Sequence, residues 1–86
     1  MWLVYVLESL VNGRYYIGST NDIQRRLREH NLGKSKYTSL TKPFKIIYTE
    51  NYETGKEARK REYYLKKLKS KKYINWLMTR TISSAG

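Results

Sequence analysis

The chain contains no cysteine and one proline, and its 7 acidic residues are set against 18 Lys and Arg in 86 positions. Without thiols it can form neither a disulfide framework nor a thiolate zinc site, and nothing in it constrains the redox compartment; the cytoplasm is the expected location. Long apolar runs are also missing. The longest early one, Trp2 to Leu7, is too short for a signal sequence or a membrane span, so a soluble, unprocessed chain with no membrane partner is expected. The shortage of acid leaves a net charge of +11. Such a charge repels itself in a small compact body and points to a polyanionic partner, DNA or RNA. The length suits one domain, near the lower size at which an apolar core holds unaided. Its expected span is 1–80, with 81–86 a disordered tail and the protein taken as a monomer.

Two runs of aromatic and β-branched residues, Trp2–Leu7 and Tyr15–Ser19, flank Asn12-Gly13, a pair suited to a two-residue type I′ hairpin turn. In that register Val11 faces Arg14, and Tyr5, Leu7 and Ser9 share a face with Tyr16, Gly18 and Thr20. Thr20 or Asn21 is placed to cap a helix running to Asn31, with Gly33 as its stop. On it Ile23/Leu27 and Arg26/His30 form i,i+4 pairs on adjoining faces. Residues 33–42 read as a basic surface loop, and 43–50 as a strand opened by Pro43. Thr54 and Glu57 have capping-box spacing for a helix to about Lys69, whose inward stripe is Ala58, Arg61, Leu65 and Leu68. Ser70 caps a last helix with Ile74, Leu77 and Met78 inward. The order is β-β-α-β-α-α, a mixed α/β (α+β) domain.

Most carboxylates (Glu8, Asp22, Glu29, Glu50, Glu53 and Glu57) fall where helix caps or solvated faces would put them. Glu62 falls on the apolar stripe instead. A charge there must be paired, with Arg59, Arg61 or Lys66, or must hold a cation. No second carboxylate accompanies it, which disfavours a two-metal site. Taken singly, His30 reads as a hydrogen-bonded histidine, Arg26 as a phosphate-steering charge, and Tyr5 and Tyr16 as sheet aromatics. Together they would assemble a phosphodiester site.

The tripeptides Leu3-Val4-Tyr5 and Tyr16-Ile17-Gly18, followed by Arg26, His30 and Glu62 within "REYYLKK", resemble the GIY-YIG nuclease family. That family includes the nuclease module of a bacterial excision-repair protein, phage homing endonucleases, some restriction enzymes and structure-specific resolvases. The likeness covers about residues 2–70 and is strongest to small single-domain bacterial members, which share the Lys36-Tyr37-Thr38 loop. Leu3 and Val4 depart from the name motif, Ser19 stands where excision-repair members carry lysine, and Asn75 is the candidate for a late asparagine. The resemblance implies a small three-stranded antiparallel sheet flanked by helices, and metal-dependent hydrolysis of DNA in repair or processing. A catalytically silent DNA- or RNA-binding module of the same fold is the alternative. It further implies that Glu62 holds one Mg²⁺ or Mn²⁺ and that Arg26 faces the phosphorane charge. Tyr5 or His30 takes the proton from water, and Tyr16 positions water or phosphate. Gly18, Arg25, Lys34, Lys36, Tyr37 and Lys66 are the candidate nucleic-acid contacts, with Gly18 leaving the sheet bare for a backbone to approach.

Overall fold

The computed structural model describes residues 1–33 and 42–85, with side chains to Thr79. Strands β1 (Trp2–Ser9), β2 (Tyr15–Thr20) and β3 (Phe44–Tyr52) form an antiparallel sheet of order β2-β1-β3. Helices α1 (Ile23–Asn31), α2 (Gly55–Leu68) and α3 (Lys71–Ala85) complete the expected β-β-α-β-α-α order. The loop expected at 33–42 lies almost wholly outside the described residues. β3 runs two residues past its expected end, and α3 continues through Ala85 into the segment expected to be a tail.

The hairpin corrects the two-residue turn. Tyr5 pairs with Gly18 and Leu7 with Tyr16. Ser9 N–H donates to Arg14 O at 2.9 Å, which leaves Leu10–Gly13 as the loop. The Ser9 hydroxyl accepts from the amides of Val11 and Asn12 at 3.1 and 3.2 Å, so a longer loop closes with its donors satisfied. Gly13 alone in it needs a positive φ, 74°. The register differs from the expected one by two residues on one strand. Because side chains alternate with period two, the same residues still share each face.

Val4, Tyr5, Val6 and Leu7 are all fully buried. Val4 packs with Ala58, Leu65 and Leu77 beneath α2 and α3, whereas Tyr5 and Leu7 pack with Phe44 and with Ile23 and Leu27 of α1. On the cap of α1 the structure corrects Thr20 and Asn21: Asp22 Oδ1 accepts from Arg25 N at 3.1 Å, and Thr20 Oγ1 holds the Asp22 amide. Thr54 caps α2 through the Glu57 amide at 3.2 Å, as its spacing predicts. Leu68, expected inward, is 40% exposed, because α2 ends there and Lys69 turns the chain away with φ 49°.

Glu50, expected on a solvated face, is the most heavily bonded carboxylate among the described residues. It accepts from Tyr48 Oη (2.5 Å), Tyr52 Oη (2.7 Å) and Arg61 Nε and Nη2 (2.9 and 3.2 Å). This network ties β3 to α2. Burial alone would raise the Glu50 carboxyl, but the bonds from Arg61, Tyr48 and Tyr52 together hold it below its ordinary value. Burial and the bond to that carboxylate push Tyr52 up to about 12. A carboxyl depressed by folding stabilises the fold above its unfolded pKa, and the contribution is lost as pH falls through the folded value. Glu50→Gln should therefore cost about 3 kcal/mol in urea unfolding at pH 7. The gap to wild type should narrow as pH drops below about 4.5. A gap that does not change with pH would contradict the assignment.

Candidate active site

Tyr5 leaves β1 on the α1 side, directly across from Gly18 of β2. A Cβ built on Gly18 would collide with the phenol oxygen and lie 2.5 Å from Cζ and 3.1 Å from Cε1. The ring thus lies over bare backbone, and its hydroxyl is carried toward the free edge of β2. The space opened by glycine is filled from within the protein, which replaces the expectation that a nucleic-acid backbone approaches there.

Helix α1 supplies the partners of that hydroxyl. His30 is fully buried, with Nε2 3.3 Å from Tyr5 Oη and its ring edge-on to Tyr16 at 4.6 Å between centroids. Burial, reinforced by the Arg26 guanidinium, lowers its pKa below the ordinary 6.5, so the ring is neutral at pH 7. A neutral ring with its proton on Nδ1 accepts from the phenol. Arg26 meets the same hydroxyl and donates from Nη1 to Glu29 Oε1 at 3.0 Å. Burial raises the Tyr5 phenol above its ordinary 10, even though Arg26 opposes the rise. Arg25 is exposed and turned to Asp22 and Glu29. The role of Glu29 in holding Arg26 was not legible from its type, although its i+3 spacing carried the signal.

Glu62 comes from α2, on the other side of the sheet, and meets this group at the β2 edge. Ser19 Oγ donates to its Oε1 at 2.6 Å, and Lys66 Nζ lies 2.6 Å from Oε2. Its charge is felt at Tyr5, where it opposes ionisation. The five residues Tyr5, Tyr16, Arg26, His30 and Glu62 thus gather around one strand edge. Ser19, which reads as a departure in sequence, is the hydroxyl that orients the carboxylate. No cluster of three or more His, Cys, Asp or Glu occurs among the described residues. Glu62 is the member of this group whose oxygens suit a hard divalent ion that keeps most of its water, and in the free protein its Oε2 is held by Lys66 one helical turn on.

Beside Tyr16 opens a cleft of about 460 Å³, lined among others by Arg14, Tyr15, Lys66, Lys69 and Lys71 and by no carboxylate among the described residues. Lys71 Nζ donates to Gly13 O at 2.9 Å and lies 4.6 Å from the Tyr15 ring centre. Tyr15 Oη donates to Asn75 Oδ1 at 2.6 Å, so the candidate late asparagine ties α3 to β2 at the cleft wall. Lys34, Lys36 and Tyr37 lie outside the described residues.

Comparison with known proteins gives the class this arrangement defines. The GIY-YIG catalytic domain matches residues 1–75, and the chain belongs to that family. Within it, the chain is 44% identical over 69 residues to the UPF0213 protein YazA of Bacillus subtilis, covering 79% of this chain and 69% of that one. It is 46% identical over 66 residues to the UPF0213 protein VNG_2274C of Halobacterium salinarum, covering 76% and 84%. The solution NMR structure of the UPF0213 protein BH0048 from Bacillus halodurans superposes with a TM-score of 0.56 at 36% identity, over 92% of this chain and 84% of that one.

If Gly18 serves chiefly to seat Tyr5, the two positions must be coupled. Gly18→Ala should cost about 1–3 kcal/mol of stability in the wild-type background and markedly less in a Tyr5→Ala background. Additive costs in urea unfolding would separate the two residues.

Proposed function

We propose that the protein is a divalent-metal-dependent endonuclease that hydrolyses DNA phosphodiester bonds, acting in DNA repair or processing. The observation that carries this reading is the convergence of a neutral His30, the Tyr5 hydroxyl, Arg26 and a lone Glu62 on one edge of β2. Glu62 would hold Mg²⁺ or Mn²⁺, and the bound ion would supply Lewis-acid activation of the phosphate and charge stabilisation of the leaving oxygen.

The remaining steps belong to the side chains. Arg26 interacts with the Tyr5 hydroxyl in the free protein, and a docked phosphate would draw its planar guanidinium onto two oxygens, where it opposes the growing negative charge. That movement opens the phenol to water. A phenol raised above its ordinary pKa is not a standing base at neutral pH; instead Tyr5 takes the water proton as it gives its own to His30 Nε2. Tyr16, against the His30 ring, positions the water or the phosphate. The basic, aromatic-walled cleft carries the adjoining strand, with phosphates on Arg14, Lys69 and Lys71 and a base near Tyr15. The pairing of Glu62 with Lys66 is what favours the other reading, a nucleic-acid-binding module without chemistry.

Branched, nicked, single- and double-stranded DNA incubated with Mg²⁺ or Mn²⁺ separates the two readings. Glu62→Gln should abolish divalent-dependent cleavage while the fold is kept; undiminished cleavage would remove Glu62 from the site. Arg26→Ala should slow cleavage by about 10²–10³-fold with a small loss of affinity, whereas Arg28→Ala, on an exposed face, should weaken binding slightly and leave the saturated rate unchanged. Equal modest losses in the two variants would reduce α1 to a basic surface. The single-turnover rate should rise with pH through a group titrating below 6.5, as His30 loses its proton and becomes an acceptor. His30→Gln should erase that step, and a step that survives the substitution would assign the proton elsewhere.

A further inference from the structure

Both carboxylate oxygens of Glu62 already have partners: a neutral hydroxyl on Oε1 and an ammonium on Oε2, each at 2.6 Å. The two partners are not equivalent toward an incoming cation. Ser19 can stay, since its hydroxyl carries no charge and continues to orient the carboxylate. Lys66 cannot, because a divalent ion on Oε2 would stand within a few ångströms of its ammonium, where like charges repel strongly. Lys66 also has somewhere to go. Its side chain is half exposed, Nζ lies 6.0 Å from the Tyr16 ring centre, and the residue lines the basic cleft where no carboxylate among the described residues would recapture it. A flexible four-carbon stem carrying a point charge suits such a transfer.

We propose that Lys66 is the resident counter-ion of Glu62, displaced when a divalent ion binds, and that the freed ammonium takes a phosphate of the strand in the cleft. This rests on the reading of Glu62 as the metal-holding residue. Two consequences follow. Competition from Lys66 weakens metal binding to the free protein, and by linkage metal and nucleic acid each tighten the other's binding by the same factor. Loading of the ion is thereby tied to the presence of substrate.

The test is a titration with Mn²⁺ at about 0.1 M salt, followed through paramagnetic broadening of the Gly18 and Ser19 amide signals, which reports binding without any cleavage. Lys66→Met should reach half-broadening at about 3–10-fold lower Mn²⁺ than wild type, the range set by losing a partly exposed ion pair and its repulsion of the ion. Lys67→Met makes the same change in net charge at a neighbouring exposed position and should titrate like wild type. A DNA oligonucleotide with non-hydrolysable linkages should lower the wild-type midpoint more than that of Lys66→Met. Equal midpoints for wild type and Lys66→Met, or an equal shift in Lys67→Met, would overturn the displacement while leaving the metal assignment intact, provided Glu62→Gln shows no broadening. Broadening in Glu62→Gln indistinguishable from wild type would overturn the metal assignment and this inference with it.

Discussion

Four consecutive residues of the central strand, Val4 to Leu7, are wholly withdrawn from solvent, and successive side chains leave a strand on opposite sides. That burial requires an apolar layer on each face of the sheet. Ala58, Leu65 and Leu77 supply one, and Ile23, Leu27 and Phe44 the other. Because each layer rests on β1, helices far apart in sequence are fixed relative to each other through one strand. The site depends on this arrangement, since Arg26 and His30 ride on one layer and Glu62 on the other, and they meet around β2.

Electrostatics at that edge are set by scarcity of acid. A chain carrying +11 has few carboxylates, and the two that matter most are used in opposite ways. Glu50 is closed off by four hydrogen bonds from Tyr48, Tyr52 and Arg61 and serves to hold β3 to α2. Glu62 keeps a single hydroxyl from Ser19 and a single half-exposed ammonium from Lys66, a looser arrangement than the four bonds on Glu50. Burial acts on the uncharged members instead, keeping His30 neutral and Tyr5 protonated at pH 7.

Much of the fold was legible in the residues. Period-two and helical patterns, the Thr54 cap and the buried Ile74 and Leu77 all stand where local chemistry puts them. The register of the hairpin was not legible, because the Asn12-Gly13 signal is strong and the competing contribution of the Ser9 hydroxyl to two amides is visible only once the loop has closed. The role of Glu50 is hidden for a related reason: its partners Tyr48 and Tyr52 are in the same strand, but the charge that justifies it, Arg61, comes from another element. The gathering of Tyr5, Tyr16, Arg26, His30 and Glu62 follows the family pattern in the sequence. Pattern alone did not contain the means by which they are held, namely Glu29 on Arg26, Ser19 on Glu62, and the seat that Gly18 gives to Tyr5.

That last seat also bears on descent. Any replacement of Gly18 brings at least a methyl group into the volume that Tyr5 occupies, and any shrinking of Tyr5 leaves a hollow over Gly18 while removing the phenol from the site. Shrinking Tyr5 first removes the clash that makes a side chain at position 18 costly, whereas filling position 18 first meets that clash in full. The physical cost therefore gives the two changes an order, with position 5 easier to alter before position 18 than after it.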